Sequence, residues 1–407
     1  MTYAKQGDLG DSGHIVVFRQ NRPWKVDTAK DGRILSTAEL ERSAPLTPVP
    51  HRTDDPNGAS RQFQYIYDHT THEYPGVGVL SASNRDVWAK VRVNRFSHAI
   101  RSLTAFFAQD YAELLASPQN AHIIETIQSA AFTVSLDASS PTGFVGFSRS
   151  LWHGDVQPSQ GPSTPSPQSL PPHLPSGIQV PTGLRNRWVD KPVQFIVYDN
   201  AQAGIMGEHS VMDGTPTARM CDDILGWLYD PSFDHGSPPP SSAAAAAPPA
   251  PLDWHISPTT QSAIATADQA ALALIDSQAL GFHRTAYGKA AIKRFGVSPD
   301  AWAQMTIQLA YRRLLAAQSE TRRGATYEAA TTRRFFKGRT EAIRVVSAES
   351  DRWVASMDDP AVDKAARKTL FLDAAKKHLG LARESGNAIG IDRLMLGESA
   401  SSKRFSW

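Results

Sequence analysis

Residues 192–217 read P-V-Q-F-I-V-Y-D-N-A-Q-A-G-I-M-G-E-H-S-V-M-D-G-T-P-T. The run is a strand, a turn, a second short strand, then a bend punctuated by Gly214 and Pro216. His209 falls where the second strand ends, with Glu208 beside it and Asp213 four residues on. A neutral imidazole near pH 7 takes and returns a proton, and a turn presents it away from a helix face. His209 is therefore a candidate general base. The chain has 13 histidines, and a structural role for any single one stands beside that reading.

Outward from this stretch, the bulk properties set bounds. A chain of 407 residues is long enough for two domains. Apolar content of 41% and charged content of 20% fit a globular protein. The net charge of +2 is too small to dictate a partner class. The one cysteine, Cys221, excludes an internal disulfide. Its neighbours Asp222 and Asp223 would raise its pKa, which argues against a nucleophile. No apolar run approaches the ~20 residues of a membrane span. The opening M-T-Y-A-K-Q-G-D-L-G-D shows neither a signal-peptide nor a transit-peptide pattern, and the closing R-F-S-W is no peroxisomal tripeptide.

Taken in order, H-I-V-V-F at 14–18 is a buried strand, 37–42 begins a short helix, and the proline-rich 44–61 is a loop. Residues 94–115 have helical spacing, and A-F-T-V-S-L at 131–136 is a strand. The Ser/Pro/Gln run 157–181 reads as a disordered insert, and the Pro/Ala run 236–251 as a linker. Helices are expected over 217–229, from Pro258, behind Ser298-Pro299, over 341–357 and over 360–384. The Pro/Ala run separates a first domain at 1–235 from a second that begins at 252.

Beyond His209, three other clusters stand out. His69, His72 and Glu73 have a metal-like spacing but no further ligand cluster nearby, and read as surface residues. Lys289 and Lys293, four apart on one helical face, could hold a phosphate, but from the pattern alone a solvated pair is the better match. The basic stretch from Arg322 to Arg339, with Tyr327, Phe335 and Phe336 between, has a nucleic-acid flavour. It lacks any RNA-binding signature, so a small anion or solvent is the better match.

Together the segments resemble the choline/carnitine acyltransferase family. The resemblance is carried by N-R-W-V-D-K-P-V-Q-F-I-V, G-E-H-S-V-M-D-G-T-P-T, Y-G-K-A-A-I-K-R-F-G-V-S-P-D, A-T-Y-E-A-A, G-R-T-E-A-I-R and I-D-R-L-M-L-G. It recurs at G-V-G-V-L-S-A-S-N-R-D-V-W-A-K and F-T-V-S-L-D-A, so it covers nearly the whole chain. Within the family the pattern is most similar to fungal carnitine acetyltransferases. The resemblance implies an α+β, chloramphenicol acetyltransferase-like two-domain fold with a central tunnel, here incomplete.

Site roles follow from the same resemblance. His209 matches the catalytic proton acceptor and Asp213 an acid that supports it. Lys289, Lys293 and Asp300 match CoA-binding residues. Tyr327, Thr340 and Arg393 match residues that hold the carnitine carboxylate. A buried arginine there would lack its partner with choline, so carnitine is the expected substrate. CoA or acetyl-CoA is a substrate and no resident cofactor or metal is expected. The chain is expected to act as a monomer on small molecules, with no nucleic acid and no transmembrane segment. Family members sit in mitochondria and peroxisomes.

The sequence departs from the pattern at Ala329, where a serine is common, and at Leu379, where many members have an arginine. Against the family, it also reads as shortened at both ends. A helical portion is expected ahead of His14, and strands with a Ser-Thr-Ser motif after Gly397, so the resemblance implies a second domain at 252–397 and a divergent tail at 398–407. Two other readings remain: a catalytically impaired member that keeps CoA or partner binding, and a carnitine acyltransferase of different chain-length preference.

Overall fold

The computed structural model describes residues 13–30, 33–35, 59–83, 112, 114–154, 183–233, 247–320 and 324–396. The expected short helix at 37–42, nearly all of the helix at 94–115 and the Ser/Pro insert lie outside them. The protein is a mixed α+β structure that divides into two compact units: 1–212 with 217–282, and 213–216 with 283–407.

The first unit is built on a six-stranded sheet. Strands β1 (His14–Arg19) and β2 (Arg22–Asp27) form a hairpin whose turn residues, Gln20 and Asn21, have φ of 47° and 68°. Two successive positive φ values match the right-handed twist of the flanking strands, and Asn tolerates that conformation well. Asn21 is also held by its side chain, which donates to Glu73 Oε1 (3.0 Å) and to Tyr74 O (2.9 Å).

β1 runs parallel to β3 (Thr133–Asp137), which runs parallel to β4 (Gln194–Tyr198). β4 pairs antiparallel with β5 (Ala203–Met206), and β2 pairs with β6 (Ala250–Pro251), giving the order β5-β4-β3-β1-β2-β6.

Every residue of β1 is buried, because both faces of the sheet are covered. On one face Val16 and Phe18 meet Ile123 and Ile127 of α2 (Pro118–Ser129), Trp188, and Ile264 of α5 (Pro258–Asp276). On the other, Ile15, Val17, Val134 and Leu136 meet Ile66 of α1 (Ala59–His69). Each such side chain contributes ~1.5–3 kcal/mol by leaving water. Helix α3 (Gly143–His153) places Leu151 against Ile196 and Tyr198. Helix α4 (Gly214–Tyr229) follows β5 and has no buried residue.

Two features differ from the sequence expectations. The expected boundary at 236–251 is not where the units divide; the division comes after Phe282. The reason is that Ala250 pairs with Lys25 and α5 packs on the sheet, so the chain beyond the Pro/Ala run still belongs to the first core. Residues 59–61, expected in a loop, open helix α1 instead.

The second unit holds α6 (Lys289–Arg294), α7 (Pro299–Ala317), α8 (Ala348–Ser356), α9 (Lys364–Gly386) and an antiparallel hairpin, β7 (Glu328–Thr331) and β8 (Thr340–Ile343). Its core gathers Met305, Ala330, Ile343, Trp353, Val354 and Ala374. Ser298 caps α7 as expected, accepting from Ala301 N, and Asp363 caps α9, accepting from Ala366 N at 2.7 Å. The helix expected over 341–357 is corrected: residues 340–343 are strand β8, and helix α8 begins behind Ser347. Ser347 and Ser350 form a reciprocal capping box, which gives the helix a later start of its own.

Two cations inside the first unit are bonded in place, Arg187 and Lys191. Arg187, fully buried, donates to Asp137 Oδ2 (2.8 Å), Ser150 O (2.8 Å) and Leu151 O (2.6 Å). Lys191 Nζ donates to the carbonyls of Ile127 and Gln128, each at 3.0 Å, and of Ala130. It thereby binds the carbonyl end of α2, where a cation is favoured. Burial nevertheless pulls its pKa down to about 8 from 10.5. Between those values the unfolded chain holds the proton that the folded one releases. The Lys191 contribution therefore rises with pH across that window. Urea melts of wild type and Lys191→Gln should show the wild-type advantage growing from about pH 8 to about pH 10.5. A pH-independent difference would contradict this.

Candidate active-site residues in the two units

In the first unit, His209 lies in the turn at 209–211, just after β5, and is exposed. The turn is shaped by Glu208, whose Oε1 accepts from Ser210 N (2.9 Å) and Ser210 Oγ (2.6 Å). Glu208 thus serves the local backbone.

Asp213 belongs with the second unit. Its carboxylate is gripped by Arg339, whose Nε and Nη2 donate at 3.0 and 2.9 Å. This fork-on-carboxylate geometry is the strong form of an ion pair. Arg339 lies at the start of β8, immediately before Thr340.

Tyr327, Thr340 and Arg393 are brought together. Arg393 Nη2 donates to Tyr327 Oη at 2.9 Å and to Thr340 Oγ1 at 3.0 Å, and its Nε donates to Thr340 O at 3.0 Å. The hairpin register makes this possible. Thr340 pairs with Thr331 and Ile343 with Glu328, so Tyr327 and Thr340 flank the ladder at opposite ends. Arg393, on a helical turn at 392–396, spans the distance. Arg393 and Tyr327 are exposed within this unit, which corrects the expectation of a buried arginine. Its orientation comes from three neutral oxygens; among the described residues no carboxylate bonds it.

Lys289 and Lys293 both lie exposed on α6. Asp300, in the first turn of α7, is a partner of His378: Nε2 and Oδ2 are 2.7 Å apart, with His378 almost fully buried. Glu328 joins them, and the three offer ligand-type atoms within 4.8 Å of one another. The His378–Asp300 bond accounts for the closeness of that pair, while Glu328 Oε2 and His378 Nδ1 are buried without a hydrogen-bond partner among the described residues. Burial, then the neighbouring Asp300 charge, pushes the Glu328 carboxyl up, while His378 opposes.

His69, His72 and Glu73 do not form a cluster. His69 stacks on Tyr65, His72 stacks on Tyr74, and Glu73 accepts from Asn21. A cavity of about 830 Å³ opens in the second unit, lined by Tyr311, Arg312, Leu315, Thr326, Asp351 and Val354 among others. It contains none of the expected site residues.

Sequence reasoning missed Arg339, Arg344, Asp392, Glu328 and His378 as site neighbours. Four of them stand inside motifs that carry the resemblance: G-R-T-E-A-I-R holds both arginines, A-T-Y-E-A-A holds Glu328 and I-D-R holds Asp392. Each bonds to, or sits beside, the residue it adjoins in space. His378 had no local signal.

Comparison with known proteins now fixes the class. The choline/carnitine O-acyltransferase family model matches residues 1–400, and the chain belongs to that family. It is 33% identical over 336 residues to the mitochondrial carnitine O-acetyltransferase of Saccharomyces cerevisiae, covering 79% of this chain and 41% of that protein. It is 30% identical over 401 residues to the human muscle isoform of carnitine O-palmitoyltransferase 1, covering 95% of this chain and 42% of that one. Human carnitine O-acetyltransferase is 30% identical over 324 residues, covering 79% of the chain and 44% of that protein. The chain thus spans less than half the length of these relatives. Among the described residues no helix is long and apolar enough to cross a membrane.

The Glu328 environment makes a pH prediction. A carboxyl with a raised folded pKa favours folding below its ordinary value of 4.5, and that contribution is lost as pH rises through the raised value. Glu328→Gln should therefore be more stable than wild type at about pH 7.5, with the difference closing toward about pH 4. Thermal melts at several pH values check it, and a constant difference would count against it.

Proposed function

We propose that the protein is a carnitine O-acetyltransferase, moving an acetyl or other short acyl group reversibly between CoA and carnitine. The observation that carries this reading is Arg393. Its guanidinium is oriented by Tyr327 and Thr340 through neutral oxygens only, which leaves its charge for an incoming carboxylate. Carnitine carries a carboxylate and choline does not. The preference rests on this preorganised cation, since an exposed arginine does not require a partner.

In the reaction, His209 takes the proton from the carnitine hydroxyl. The oxygen attacks the thioester carbonyl carbon, and a tetrahedral oxyanion forms. Its collapse breaks the carbon–sulfur bond, and the CoA thiolate takes the proton back from the imidazolium. Lys289 and Lys293 would meet CoA phosphates, and Asp213, fixed by Arg339, supports the base. No resident cofactor or metal enters the scheme; CoA is a substrate. The proposal includes a chloramphenicol acetyltransferase-like arrangement with a tunnel reached by the two substrates from opposite sides, a reading that membership of the family supports. A mitochondrial or peroxisomal site and a monomeric state complete the proposal; the yeast relative supports the mitochondrial site.

The palmitoyltransferase relatives support a second, longer-chain reading, and one assay addresses both. The purified chain is mixed with acetyl-CoA or palmitoyl-CoA, and thiol release is followed with carnitine, with choline and with neither. The expected result is carnitine-dependent release that prefers acetyl-CoA and falls about 10²–10⁴-fold in His209→Ala. Arg393→Met should raise the KM for carnitine on the order of 10–100-fold. Release from palmitoyl-CoA alone would move the assignment to the longer chain. A folded chain with no carnitine-dependent release would overturn it.

A further inference from the structure

Arg344 follows β8 directly and makes two sets of bonds. Its Nη1 donates to Thr326 O at 3.1 Å. Its Nε donates to Asp392 Oδ2 at 3.2 Å, and its Nη2 bonds Asp392 Oδ1. Thr326 immediately precedes Tyr327, and Asp392 immediately precedes Arg393. One guanidinium is therefore anchored one residue upstream of two members of the Tyr327–Thr340–Arg393 group.

The charges matter as much as the bonds. Asp392 is the sequence neighbour of Arg393, and its carboxyl is held below the usual range by the Arg344 hydrogen bond, then, against burial, by the Arg344 and Arg393 charges. A carboxylate released beside Arg393 would compete for that guanidinium with any ligand carboxylate. With Arg344 occupying both Asp392 oxygens, two arginines and one aspartate leave a net +1, the complement of one carboxylate.

We propose that Arg344 is a specificity-determining positioning residue: it withholds Asp392 from Arg393 and so keeps Arg393 available to a carboxylate-bearing substrate. This rests on the carnitine reading for the identity of that substrate, while the withholding itself does not. A lysine at 344 would keep the charge but lose the fork that takes both oxygens.

The test uses the full chain as wild type, Arg344→Met, Arg344→Lys and the double variant Arg344→Met/Asp392→Asn. The Arg393 Nε resonance, assigned with Arg393→Lys, is followed by side-chain nitrogen NMR without ligand. Carnitine and choline are then titrated calorimetrically. Arg344→Met should shift the Arg393 resonance and weaken carnitine binding on the order of tenfold, with any choline binding unchanged. Arg344→Lys should move both the same way, and it replaces the methionine variant if that one fails to fold. Adding Asp392→Asn should restore the resonance and the affinity, a rescue that a merely structural role for Arg344 does not produce. An unmoved Arg393 resonance in the single variants, or a double variant as impaired as the single one, overturns the proposal. A wild-type chain that ignores carnitine while the resonance follows the expected pattern upholds the withholding and removes carnitine as the ligand.

Discussion

The register of the β7–β8 hairpin is the constraint on which the second unit's polar groups depend. Ile343 pairs with Glu328, and Ala330 and Ile343 both enter the core. A slip of one residue would exchange the two faces of the strand, expelling Ile343 from the core. The same register fixes what lies outside the core. Arg339 and Arg344 leave the two ends of β8, one toward Asp213 and the other toward Asp392 and Thr326. Thr340, at the first of those ends, meets Arg393. A ladder of a few backbone pairs therefore organises three arginines, each with a distinct partner set.

The first unit meets a different constraint. Its central strand is buried on both sides, so charges near the sheet have no water to use. Arg187 is compensated by Asp137 and by main-chain carbonyls, and Lys191 by the carbonyl end of α2. Both come from N-R-W-V-D-K, the segment leading into β4. Arg187 and Lys191 therefore tie α2, α3 and the sheet together upstream of His209. Removing one partner of such a buried pair is costly, since the other remains as an uncompensated charge.

Much of this fold was legible in the residues. H-I-V-V-F and Q-F-I-V-Y are strands because their apolar side chains suit a covered sheet, and Ser298-Pro299 starts α7 because the cap and the proline act locally. T-E-A-I at 340–343 was not legible as a strand: glutamate, alanine and isoleucine all tolerate a helix, and the deciding contacts come from E-A-A-T across the hairpin. The division after Phe282 was hidden for a similar reason, because Pro/Ala composition cannot show that Ala250 pairs with Lys25. Tyr327, Thr340 and Arg393 entered as separate motif residues, and only the fold joins positions 66 and 53 residues apart. The Asp300–His378 contact, 78 residues apart, left no trace in local pattern.

Carnitine recognition depends on whether the cation of Arg393 receives a substrate carboxylate. The most direct measurement is a calorimetric titration of the wild-type chain with carnitine and, in parallel, with carnitine methyl ester, which keeps the trimethylammonium and hydroxyl but loses the negative charge. Carnitine should bind, and the ester should bind on the order of tenfold more weakly or not at all. Equal binding of the two would rule out a carboxylate-receiving role for Arg393.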